Sequence, residues 1–118
     1  MESLLIVSMA GPKDPDRAIL PFVTATMAKV SRIDVRIFLL GEATLLITND
    51  YVDKVQGKVF PSLRKALEDA LKEDIEIYIC SRYMKSYDLG RKDFAVRVTI
   101  SSLAKLAELA QENSTLNF

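Results

Sequence analysis

The sequence predicts an α/β protein, a three-layer α/β/α sandwich with a mainly parallel five-stranded sheet. Three observations predict it. Strand-length apolar or alternating runs recur along the chain, helix-period segments lie between them, and turn residues separate one from the next. Strands joined through helices need crossover connections, so neighbours run parallel and both faces of the sheet are covered. The 118 residues, 49% apolar and 27% charged, suffice for one domain over residues 1–118 with a real core.

Residues 3–9 (SLLIVSM) form a nearly continuous apolar run, as expected of a strand buried on both faces. The run ends in AGPKDPDR, a cluster of turn residues. Asp14 is placed to cap the next helix, with Pro15 in the first turn, where a missing N–H costs nothing. That helix runs to Val30 with Ala18, Phe22, Ala25 and Met27 towards the sheet, and Pro21 should kink it or delay its regular part. Residues 33–40 (IDVRIFLL) alternate and then turn fully apolar, giving a second strand. Residues 41–48 read as a short helix and residues 49–57 as a loop, with Gly57 as a turn.

Leu63, Ala66, Leu67, Ala70 and Leu71 repeat at helical spacing and mark an amphipathic helix. Residues 74–80 (DIEIYIC) are β-branched and aromatic, a third strand, and a helix or turn starts at Ser81. Residues 94–100 (FAVRVTI) predict a fourth strand. Ser101 or Ser102 then caps a helix carrying Leu103, Leu106, Ala107 and Ala110, and residues 115–118 are a short terminal strand.

Sixteen basic residues balance sixteen acidic ones, so no overall field favours nucleic acid or an anionic membrane. No run approaches the ~18 apolar residues of a membrane span, and the first residues do not read as a signal peptide; a cytoplasmic location is expected. The chain has no histidine and one cysteine, Cys80. Ser-His-Asp and Cys-His nucleophiles, histidine-bound metals, Cys-only metal sites and an internal disulfide are thereby excluded.

In open parallel sheets, ligands and reactive groups collect at the carboxyl ends of the strands. The loop AGPKDPDR lies at that edge but has only Gly11, so both glycine-rich phosphate-binding patterns are missing, and Asp14 and Asp16 would repel an anion. It reads as a βα turn. Asp14 with Asp16, and Glu68 with Asp69, read as solvated acids rather than acid–base pairs, with Glu68 and Lys72 spaced as an i,i+4 pair. Tyr78, Tyr83 and Tyr87 have the residue type to stack on a ring, yet Tyr83 and Tyr87 are spaced to cover one helix face.

Cys80 is distinguished by position: it ends the third strand just before a helix start, where free backbone N–H groups and the helix dipole favour a thiolate. Between Ser81 and Val98 five basic residues (Arg82, Lys85, Arg91, Lys92, Arg97) stand against Asp88 and Asp93. The opposing reading is a core-filling cysteine, since free cysteine is among the most buried residue types.

The chain resembles the DsrE/DsrF/TusD-like small sulfur-relay proteins (the DsrEFH superfamily, YchN-like). The resemblance rests on LLIVSMAGPKDPDRAILPFVTATMA, DVRIFLLGEATLL, SLRKALEDALKEDIEIYIC and SLAKLAELAQENSTLNF, in that order and spacing. It implies a five-stranded parallel α/β/α domain assembling as trimers or hexamers, homomeric or mixed with other DsrE-like chains. It also implies that a cysteine after the third strand, here Cys80, accepts sulfane sulfur as a persulfide. Relatives often carry a second cysteine soon after the first. SRYMKSYDLG has none, so a relay through one persulfide remains and one through an internal disulfide does not.

The expected function is therefore a sulfur carrier, at most a sulfurtransferase-type protein, taking sulfur from one protein and giving it to another. Cys80 would be the nucleophile, with Ser81, Arg82 and Lys85 as anion stabilisers and no metal or organic cofactor. Neither nucleic acid nor membrane is an expected partner. The alternative is a non-catalytic oligomeric binding or scaffold module in which Cys80 is buried and structural. An anion binder at the strand-end edge is a third reading, weakened by the missing glycines.

Overall fold

The computed structural model describes residues 2–118. Five strands, β1 (Ser3–Ser8), β2 (Asp34–Leu39), β3 (Glu76–Cys80), β4 (Thr99–Ser101) and β5 (Ser114–Asn117), form one sheet in the order β4-β3-β2-β1-β5. All four neighbouring pairs are parallel. The apolar runs of β1 and β2 take the centre, where both faces are covered, and the shorter β4 and polar β5 take the edges.

Helices α1 (Pro15–Val30) and α2 (Leu63–Lys72) pack on one face. Ile19, Phe22, Leu63 and Leu67 meet Ile6, Ile37 and Ile79 of the strands there. The other face holds a smaller cluster of Leu5, Phe38, Leu40, Tyr78 and Cys80, covered by Leu109 and Leu106 of α4 (Leu103–Glu112) and by Tyr83 of α3 (Ser81–Ser86). Phe38 and Tyr78 stack in parallel with ring centroids 5.5 Å apart.

Several expectations are corrected. Met27 is 58% exposed, because it lies about 200° around α1 from Ala25 while the buried stripe runs Ala18, Phe22, Ala25, Ala28. Asp14 occupies the cap position of α1 but its side chain makes no cap bond, and the helix runs on through Pro21. On α4, Leu103, Ala107 and Ala110 face outward, and Leu109, absent from the expected stripe, is the buried residue. Ser102 rather than Ser101 caps α4, accepting from the Lys105 N–H. The ion pair made on α2 is Lys65–Asp69 at 2.8 Å. The largest correction concerns residues 94–100, of which only Thr99 and Ile100 enter β4. Phe94 instead bridges to Thr48, and the Ala95 N–H donates to the Ile47 carbonyl, which pulls this stretch away from β3.

Three helices end in the same way without glycine. Arg32, Asp74 and Asp88 take left-handed φ values of 65°, 57° and 55° just after α1, α2 and α3. The next residue's N–H then bonds back to Ala28, Ala70 and Met84 respectively, satisfying a terminal carbonyl and turning the chain sharply. After α2 that turn delivers Ile75 straight into β3.

Candidate functional site

The carboxyl edge of the sheet is where β2 and β3 stop side by side. β2 runs into a 3₁₀ segment, Gly41–Ile47, entered through Gly41 at φ +55°, a conformation glycine adopts without penalty. β3 runs into α3 with Cys80 as the junction residue, φ −86° and ψ 129°. The 3₁₀ segment and α3 touch. Cys80 also lies opposite Ser101 at the end of β4, so β4 flanks it on the other side.

Strand alternation decides which way Cys80 points. Ile77 and Ile79 face α1 and α2, so Tyr78 and Cys80 face the α4 side. The side chain is fully buried, at 0% exposure, in the cluster against which Leu106 and Tyr83 pack. Of the residues expected beside it, Ser81 is half-buried at the start of α3, whereas Arg82 and Lys85 are exposed on α3. Arg91, Lys92 and Arg97 are exposed as well, so the basic excess lies on the surface rather than against the sulfur. Tyr83 and Tyr87 are half-buried, and Tyr83 packs against the cluster that holds Cys80.

The sequence reading missed Thr44. Its hydroxyl, in the 3₁₀ segment at this same edge, is buried and without a hydrogen-bond partner among the described residues. A threonine in a short helical run carries no sequence signal of that kind; only the packing makes it an orphan. The first loop behaves as a turn. A side chain at Gly11 would bring its Cβ to 2.5 Å from the Glu42 Cβ, so this glycine permits close approach to the 3₁₀ segment. Asp16 accepts from the N–H groups of Lys58, Val59 and Phe60. Those donors, Val59 first, hold its carboxyl below the ordinary carboxylate value.

The lower half of the α4 face is polar. The Tyr78 hydroxyl donates to Glu76 Oε1 at 2.7 Å, Thr99 donates to Glu76 Oε2 at 3.0 Å, and Arg36 lies 3.5 Å from Asp34 and 3.8 Å from Glu76. Burial, followed by the Glu76 carboxylate, raises the Tyr78 phenol above its ordinary value. Among the described residues no group of three or more His, Cys, Asp or Glu side chains is arranged to hold a metal ion. Among the described residues no helix is long and apolar enough to cross a membrane.

Fold and site define a class: small parallel α/β/α proteins in which a cysteine closes the third strand at the carboxyl edge. Within that class the chain belongs to the DsrE/DsrF-like family, whose model matches residues 2–118. Its fold is similar to that of the ychN protein from E. coli, with 16% identity, full coverage of both chains and a TM-score of 0.81. A conserved protein of unknown function from Bacteroides thetaiotaomicron shares 17% identity over 99% of this chain and 95% of that one, with a TM-score of 0.73. A protein of unknown function from Methanobacterium thermoautotrophicum shares 9% identity, with 99% and 98% covered and a TM-score of 0.66. Among curated proteins none matches the chain.

Proposed function

We propose that this protein is a sulfur carrier that holds sulfane sulfur on Cys80. One observation carries the reading: in a chain of the DsrE/DsrF-like family, the only cysteine is the last residue of β3, at the carboxyl edge of a parallel sheet. The Cys80 thiolate attacks the outer sulfur of a donor persulfide; the donor S–S bond breaks, a new S–S bond forms on Cys80, and the donor leaves as thiolate. An acceptor thiolate then attacks the terminal sulfur of the Cys80 persulfide, and Cys80 leaves as thiolate. Each step is an exchange at sulfur with no net oxidation, so no metal or organic cofactor enters. Ser81, Arg82 and Lys85, next along α3, are the groups assigned to the anion once Cys80 is uncovered.

Complete burial of Cys80 favours the second reading, a DsrE-like scaffold without covalent chemistry in which the thiol fills the core. Under the carrier reading, uncovering requires movement of the α3 or α4 cover, or a rearrangement on assembly. Assembly into homo-oligomers, or with other DsrE-like chains, belongs to the proposal, as do a protein donor and a protein acceptor in the cytoplasm. The apolar outward stripe of α4, with Leu103 at 46% exposure, supports self-assembly. Mass spectrometry after incubation with a persulfide donor tests the carrier reading. A gain of about 32 Da on the wild type, absent from Cys80→Ala, is expected.

A further inference from the structure

We propose that β4 has a second, longer setting in which residues 96–98 zip onto β3, and that this setting controls how readily Cys80 is uncovered. In the structure the β3–β4 ladder begins only at Tyr78↔Thr99 and comprises three pairs, ending at Cys80↔Ser101. Below it the two chains diverge around a cavity of about 630 Å³, lined on one side by Ile75, Glu76 and Ile77 and on the other by Val96, Arg97 and Val98. β3 is a strand at Glu76 and Ile77, paired to β2 on one edge and facing this cleft with the other.

Three features fit the cleft to the chain's own residues. The segment FAVRVTI carries large apolar residues at 94, 96, 98 and 100, the spacing of one strand face, although only its end is paired. Val96, Val98 and Ile100 already pack towards the α1–α2 core, as do Ile75, Ile77 and Ile79, so zipping needs no change of face. Continuing the observed register sets Val98 opposite Ile77, Arg97 opposite Glu76 and Val96 opposite Ile75. Two of these are apolar pairs and the third is an ion pair, on the face where Glu76 already accepts from Tyr78 and Thr99.

The link to Cys80 is covalent continuity. β4 pairs its Ser101 with Cys80 itself and leads through Ser102 directly into α4, whose Leu106 packs against the cluster that holds Cys80. A three-pair ladder frays easily, whereas a six-pair ladder holds β4 and the start of α4 down. The inference rests on the carrier reading for its purpose, since a carrier must alternate between a shielded and an open sulfur.

The test uses the natural single-cysteine chain, in which a thiol reagent reports on Cys80 alone. In the wild type, slow amide exchange at alternate positions among residues 96–98, those whose N–H groups face β3, is expected, with cross-strand NOEs between Glu76 and Arg97. Arg97→Glu should lower that protection and speed labelling of Cys80, each about two- to fivefold, and Glu76→Arg with Arg97→Glu should restore both. Amide protection in β1 and β2 verifies that each variant is folded. Unprotected amides at 96–98 in the wild type, or a labelling rate indifferent to Arg97→Glu, overturns the proposal. Neither readout involves sulfur transfer, so a gated Cys80 that takes up no sulfur sinks the carrier reading and leaves this one standing.

Discussion

The two faces of the sheet differ in how they are closed. The α1–α2 face is sealed by two helices whose Phe22, Leu63 and Leu67 are fully buried. The α4 face is closed by the six-residue α3 and the ten-residue α4, which together contribute a single buried side chain, Leu109, and its lower half is a polar network around Glu76. Cys80 lies under the thin cover. Burial alone therefore misdescribes it: the same zero exposure means permanent enclosure on one face and, on the other, shelter beneath two short helices.

That contrast can be broken by mutation. Phe22→Ala, which opens the sealed face, should cost about 3–5 kcal/mol in urea unfolding. Leu109→Ala should cost about 2–3 kcal/mol, and unlike Phe22→Ala at matched denaturant it should raise the labelling rate of Cys80 in the folded protein. Ser102→Ala removes the α4 cap, worth about 1 kcal/mol, and should loosen the same cover. Equal effects of the two large truncations on labelling would erase the difference between the faces.

The smallest effect concerns Asp16, which belongs to neither face and ties residues 58–60 to α1. Its carboxyl is held below its ordinary value of 3.8, so the anchorage is complete above that pH and is lost as pH falls through the lowered folded value. Proteolysis of residues 49–61 should increase in that acid window for the wild type. In Asp16→Asn it should be raised at neutral pH and insensitive to acid.

Much of this was legible in the sequence, for reasons tied to particular residues. The α2 stripe from Leu63 to Ala70, the strand ending at Cys80 and the cap position before Pro15 all carry local signals that the fold obeys. Terminal turns at Arg32, Asp74 and Asp88 were not legible, because helix ends are recognised by glycine and none stands there. The unpaired stretch 95–98 misled because β propensity is local, whereas pairing depends on what Ile47 and Thr48 do far earlier in the chain. At the site, the position of Cys80 could be read from strand end and order. Its burial, and the orphan hydroxyl of Thr44, arise from long-range packing and could not.

The most direct measurement is intact-protein mass spectrometry of the folded chain after exposure to a persulfide donor, followed by addition of an acceptor thiol. The account predicts a gain of about 32 Da located on Cys80, removed by the acceptor and absent from Cys80→Ala. A wild type that gains no sulfur while folded, or a Cys80→Ala variant that gains it equally, would contradict it.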